Sequence, residues 1–131
     1  MLMPDQIEKI RNHACRQKHI VAIYVFGSVA TGKDRWGSDI DLAVMVCGEL
    51  SGMKRVEMET TLSNLLGRDV DVVIFGKSSA LLQHQILKYG RLIYEANPPE
   101  RIRQEVQSRR NYLDTTFLYK KIGWSGCHGG S

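Results

Sequence analysis

Val21-Ala22-Ile23-Tyr24-Val25-Phe26-Gly27-Ser28, followed after ten intervening residues by Asp39-Ile40-Asp41-Leu42-Ala43-Val44-Met45-Val46, decides the fold. The first stretch is an uninterrupted apolar run of β-forming residues closed by a glycine, the pattern of a buried strand entering a turn. The second is another strand, stopped by Gly48, whose mouth carries two carboxylates. Side chains alternate along a strand, so Asp39 and Asp41 point to the same face. Carboxylates held that close repel unless a cation lies between them. Hard oxygen ligands suit Mg²⁺, which is commonly bound by one or two carboxylates together with substrate phosphates.

Working outward, Ile7, Ile10 and Ala14 recur at helical spacing after Asp5-Gln6-Ile7-Glu8, which has the form of a capping box. A first helix is therefore expected to about Lys18. A short helical turn and a loop are expected over 28–37. A helix over 51–66 ends at Gly67, and a third strand runs over 70–75. A helix capped by Ser78 or Ser79 follows and ends at Tyr89-Gly90. Residues 91–95 form a short strand, and a break falls at Asn97-Pro98-Pro99. Ile102, Val106, Leu113 and Phe117 then mark a long C-terminal helix. The expected architecture is α+β, with a small mixed β-sheet flanked by helices. A single domain is expected over 1–122 and a flexible glycine-rich tail over 123–131.

The chain has 131 residues, 43% of them hydrophobic, enough for one domain with a real core. Its apolar runs are far shorter than the roughly 20 residues that span a bilayer. The first nine residues lack a basic-then-apolar pattern, so neither a membrane partner nor a signal peptide is expected. Cys15, Cys47 and Cys127 are scattered and odd in number, which argues for a reducing, cytoplasmic setting. The net charge of +4 gathers as Arg and Lys in the C-terminal third, a pattern more often a solvated helix face than a nucleic-acid site. Direct nucleic-acid binding is not expected.

The segment Arg68-Asp69-Val70-Asp71-Val72-Val73-Ile74 supplies a third carboxylate. An acidic residue inside so apolar a run is costly to bury without a partner. Asp71, one residue inside the strand, is favoured over Asp69 at its mouth. Three carboxylates on adjacent strands can hold two Mg²⁺ ions about 3.5–4 Å apart, as two-metal phosphoryl-transfer sites do. Gly27 lets the backbone approach a triphosphate, and Ser28 adds a hydroxyl and the N–H groups of a helical turn. His13, His19 and His84 stand singly and read as helix-surface or edge residues. Cys127-His128 is too few ligands for a structural metal.

Gly27-Ser28-Val29-Ala30-Thr31-Gly32 and Ser38-Asp39-Ile40-Asp41-Leu42-Ala43-Val44 together resemble the signature of the DNA polymerase beta-like nucleotidyltransferase superfamily. Val70-Asp71-Val72-Val73 and the segment from Gln85 to Glu95 resemble, within it, the minimal nucleotidyltransferases (MNT). The resemblance covers about residues 5–120. It implies the nucleotidyltransferase (polymerase beta-like) fold and transfer of a nucleoside monophosphate from a nucleoside triphosphate to a hydroxyl. It implies that Gly27 and Ser28 contact the triphosphate, and that Asp39, Asp41 and Asp71 bind two Mg²⁺ ions as the catalytic set. It further implies an antitoxin that adenylylates a tyrosine of a HEPN-domain toxin, with ATP as substrate. Thr31 departs from the pattern, which often has arginine there; Lys33 and Arg35 are alternative sources of that charge. Two other classes stay open. One is a binding module that neutralises its partner by occlusion. The other is a transferase for a small hydroxylated substrate or an RNA end.

Overall fold

The computed structural model describes residues 2–27 and 39–121, with side chains up to residue 114. Eight main elements follow in the expected order: α1 (Pro4–Ala14), β1 (Ile20–Phe26), β2 (Ile40–Val46), α2 (Gly52–Leu66), β3 (Val70–Ile74), α3 (Ala80–Tyr89), β4 (Arg91–Glu95) and α4 (Pro98–Lys121). A single 3-10 turn, Phe75–Lys77, joins β3 to α3. The strands form one mixed sheet in the order β3-β2-β1-β4. β1 is antiparallel to both β2 and β4, while β2 and β3 are parallel.

Both faces of the sheet are covered. One core gathers Ile23 and Val25, then Ile40, Leu42 and Val44, then Val70, Val72 and Ile74, under Ile10 of α1 and Met58, Leu62 and Leu66 of α2. The other gathers Tyr24, Ala43 and Met45 with Phe75 and Ile86. Two cores on opposite faces explain why β1 and β2 read as continuous apolar runs rather than alternating ones.

The sequence signals for helix ends hold at α2 and α3. Ser51 Oγ accepts from the Lys54 N–H and Ser79 Oγ from the Leu82 N–H, while Gly67 closes α2 in the left-handed region at φ 67°. At α1 they do not. The helix opens on Pro4 with Met3 as its cap, and Gln6 Oε1, not an acidic side chain, accepts the Met3 N–H at 2.9 Å. Proline suits the first helical position because its missing N–H would be unpaired there anyway. α1 also stops at Ala14, because turns over residues 15–19 are needed to feed β1. The Asn97-Pro98-Pro99 break is itself a helix start: Asn97 Oδ1 accepts the Glu100 N–H at 3.3 Å.

α4 forms as expected, but its spacing pattern is turned outward. Ile102, Val106 and Leu113 are exposed. The inward face is polar instead, because it meets hydrogen-bonding groups of the sheet. Glu105 accepts the Tyr24 hydroxyl, Arg101 pairs with both Glu95 and Glu105, and Gln104 Nε2 donates to the Val46 carbonyl at 3.0 Å. Burial and the Glu105 carboxylate push the Tyr24 phenol far above its ordinary range, so it stays a hydrogen-bond donor.

Edge strand β3 is shielded by α2. Glu59 Oε2 accepts the Val72 N–H at 2.7 Å, Arg55 Nη1 donates to the Val72 carbonyl at 3.2 Å, and Ser63 Oγ accepts the Val70 N–H at 2.9 Å. These side chains occupy backbone groups that would otherwise template pairing with another chain. Replacing Glu59 with Ala strands the Val72 N–H, so we expect Glu59→Ala to lose about 1–3 kcal/mol of unfolding free energy in urea titration. An unchanged midpoint would show that this edge bond carries no stability.

Candidate nucleotidyl-transfer site

The site grows out of strand register. Ile40, Leu42 and Val44 on β2 lie opposite Val70, Val72 and Ile74 on β3, all in the same core. Burial of those six side chains fixes the pairing, since a one-residue slip would turn them to the other face. The same register sets Asp41 directly beside Asp71 on the opposite face. Asp39 stands one residue before β2, exposed, and Asp41 is half-buried. The Asp69 carbonyl, not its side chain, joins the framework by accepting the Ile40 N–H at 2.9 Å.

Asp41 carries the electrostatic cost of this arrangement. Burial first, then the charges of Asp71 and Asp39, raise its pKa above the ordinary aspartate value. Across β1, Asp41 is the register partner of Phe26, the last residue of that strand. Gly27 follows at φ 77°, and a methyl group built on it would lie 2.5 Å from Asp41 Oδ2. Glycine is needed here twice, for the left-handed backbone and for the space the Asp41 carboxylate fills. The sequence pattern pointed to Gly27 for phosphate access; its close approach to Asp41 is a second role that only the register reveals.

Among the described residues, no three His, Cys, Asp or Glu side chains converge into a group that could hold a metal ion. Asp39, Asp41 and Asp71 are neighbours by charge rather than a closed cage. Mutual repulsion favours such separation, and a divalent cation is what would relieve it. Their donor chemistry, all carboxylate oxygen at the mouth of two strands, fits Mg²⁺. Ser28, Thr31, Lys33, Arg35, Cys127-His128 and the tail over 123–131 lie outside the described residues. Lys77 is engaged structurally, its Nζ 3.4 Å from the Leu50 carbonyl. His13, His19 and His84 are partly buried. His84 stacks on Tyr112 at 3.9 Å between ring centroids, a contact across 28 residues that no local pattern announces.

Residues 8–99, most of the chain and all of the sheet, match the family described as Polymerase beta, Nucleotidyltransferase. The chain belongs to that family. It is 35% identical over 72 residues to protein adenylyltransferase MntA of Shewanella oneidensis, a stretch that covers 55% of this chain and 52% of that relative. The chain thus matches about half the length of that curated protein. A solved toxin–antitoxin structure with AMP-PNP is similar over 92% of this chain and 95% of its own, with a TM-score of 0.76 and 26% identity. The same fold recurs in a tri-AMPylated Shewanella oneidensis HEPN toxin in complex with its MNT antitoxin. That match has a TM-score of 0.68 and 22% identity, over 88% of this chain and 94% of the other. No helix among the described residues is long and apolar enough to cross a membrane. Cys15 and Cys47 are exposed free thiols.

Two outcomes follow from the site's electrostatics. An acid with a raised folded-state pKa is harder to ionise in the fold than in the unfolded chain. Its contribution to stability is therefore lost as pH rises from about 3.9 through the folded value. In EDTA at pH 7, Asp41→Asn is expected to unfold at higher urea concentration than the natural chain, with the gap closing below about pH 3.9. Equal midpoints at pH 7 would contradict the repulsion. Gly27→Ala is expected to lose about 1–2 kcal/mol from the left-handed backbone alone. A Gly27→Ala variant as stable as the natural protein would mean that the turn is not constrained as described.

Proposed function

We propose that this protein is a Mg²⁺-dependent nucleotidyltransferase that transfers AMP from ATP to a hydroxyl, specifically a tyrosine of a cognate HEPN-domain toxin, and so acts as its antitoxin. The observation that carries this reading is the pairing of Asp41 with Asp71 across β2 and β3, beside the left-handed Gly27 turn. Support for the acceptor comes from the relatives. One is named a protein adenylyltransferase, and the fold recurs in an antitoxin bound to an AMPylated HEPN toxin.

Asp39, Asp41 and Asp71 would hold two Mg²⁺ ions, whose chemistry when bound is to neutralise the triphosphate and acidify the attacking hydroxyl. The chain's own part is positional. Gly27, just after β1, would offer its backbone to the phosphates, and Ser28 would add a hydroxyl. Asp41, pressed against Gly27, holds the reacting edge at the turn. Asp71, exposed beside Asp41, would take the acceptor proton. The acceptor oxygen forms its bond to the α-phosphorus as the bond to the bridging oxygen breaks, and pyrophosphate leaves with that electron pair. The setting in which such chemistry meets an intracellular toxin is the cytoplasm.

The test is label transfer from α-labelled ATP to a co-expressed partner. Asp39→Asn or Asp41→Asn is expected to slow labelling by about 100-fold or more, the scale of losing a transition-state electrostatic group. Labelling at the wild-type rate by the double variant would overturn the assignment. Full neutralisation of the toxin by that variant would favour occlusion over catalysis.

A further inference from the structure

A cavity lined by both apolar and polar side chains lies between α3 and α4. It has a volume of about 230 Å³ and is lined by His84, Leu87 and Lys88 from α3 and by Ser108, Arg109 and Tyr112 from α4. None of the six is acidic, and two carry permanent positive charge. Ser108 is only 3% exposed, and its Oγ has no hydrogen-bond partner. A buried hydroxyl without a partner is costly, about 1–3 kcal/mol, and calls for a ligand or water to complete it. The stacked rings of His84 and Tyr112 tie the two helices together and give the cavity a fixed wall.

From this geometry we propose that the α3–α4 cleft is a phosphate-binding site that takes a phosphate group, either as a phosphomonoester or as free phosphate. A phosphomonoester carries about −1.5 to −2 charge at pH 7, which Lys88 and Arg109 together balance. Its terminal oxygens accept from several donors at once, and the Ser108 hydroxyl, the His84 ring and the Arg109 fork are such donors. Both cations are held only loosely by the protein. Lys88 Nζ stands 5.3 Å above the Tyr89 ring, and Arg109 Nη1 is 3.8 Å from Glu105 Oε1, a carboxylate already committed to Tyr24 and Arg101. Little existing interaction must be given up for them to turn onto an anion.

The cleft also has a place relative to the transfer site. α3 ends at Gly90, where a methyl group would lie 3.1 Å from the Val25 carbonyl and 2.4 Å from that of Ile86. Val25 precedes Phe26, the register partner of Asp41. The last turn of α3, which carries Lys88, is therefore at the carboxylate end of the sheet, yet Lys88 and Arg109 belong to helices rather than to the strand-end carboxylate set. This inference does not rest on the proposed transfer reaction.

The test uses the full chain in EDTA, so that Mg²⁺-dependent binding at the carboxylates is silent. Inorganic phosphate, AMP and adenosine are titrated while the ring signals of His84 and Tyr112 are followed by NMR. Phosphate and AMP are expected to shift both rings saturably, and adenosine to leave them unmoved. Tighter binding of AMP than of phosphate assigns a nucleotide; equal binding assigns free phosphate. The exposed pair Lys88→Gln and Arg109→Gln together should weaken AMP at least tenfold, and Ser108→Ala should weaken it further. Rings that do not respond, a double glutamine variant with unchanged affinity, or adenosine acting as strongly as AMP would each overturn the proposal. An unchanged amide spectrum of each variant confirms that its fold is intact.

Discussion

The register of β2 against β3 is the constraint on which the rest of the structure depends. Ile40, Leu42 and Val44 must face the same core as Val70, Val72 and Ile74, and that requirement leaves Asp41 and Asp71 side by side on the other face. The repulsion between them is not relieved by any neighbouring cation among the described contacts of Asp41; burial and Asp39 add to it. A sheet accepts such a pair only because the apolar contacts that fix the register are worth more than the charges cost. Stability is spread over the core while strain of this kind gathers at the strand mouths, a common division between scaffold and site.

The two faces of the sheet are built differently. Under α1 and α2 the packing is mainly apolar, and α2 adds Arg55, Glu59 and Ser63 to seal the β3 edge. Under α3 and α4 the apolar core is smaller and shares the face with a polar network, Tyr24–Glu105–Arg101–Glu95, that clamps α4 to β1 and β4. Tyr24 lies three residues before Gly27 on β1. The network therefore anchors the strand that delivers the turn, and it anchors a helix whose apolar residues Ile102, Val106 and Leu113 are turned away from the domain.

Much of this was readable in advance, for identifiable reasons. The strands announce themselves as apolar runs ended by glycine, and Ser51, Gly67 and Ser79 mark helix ends through local hydrogen bonds that need no tertiary information. Asp71 stood out as an acid inside an apolar run, and its pairing with Asp41 follows once two strands are placed in parallel. What stayed hidden depends on distant partners. The polar inward face of α4 could not be read because Glu105 answers to Tyr24, 81 residues earlier. The Met3–Gln6 cap escaped notice because acidic Asp5 and Glu8 fit the usual capping pattern better than Gln6 does. The second role of Gly27 is likewise invisible until β1 and β2 are laid in register.

The central proposal is that one strand register, with Asp39 at the mouth of β2, gathers three separate aspartates into one cluster that takes up Mg²⁺. Its most direct measurement is a Mg²⁺ titration of the full chain with AMP-PNP present, following the side-chain carboxyl ¹³C signals of Asp39, Asp41 and Asp71. The account predicts that all three shift together along one saturation curve while Asp69 stays still. Independent shifts, or an Asp71 signal that does not move while Asp39 and Asp41 saturate, would contradict it.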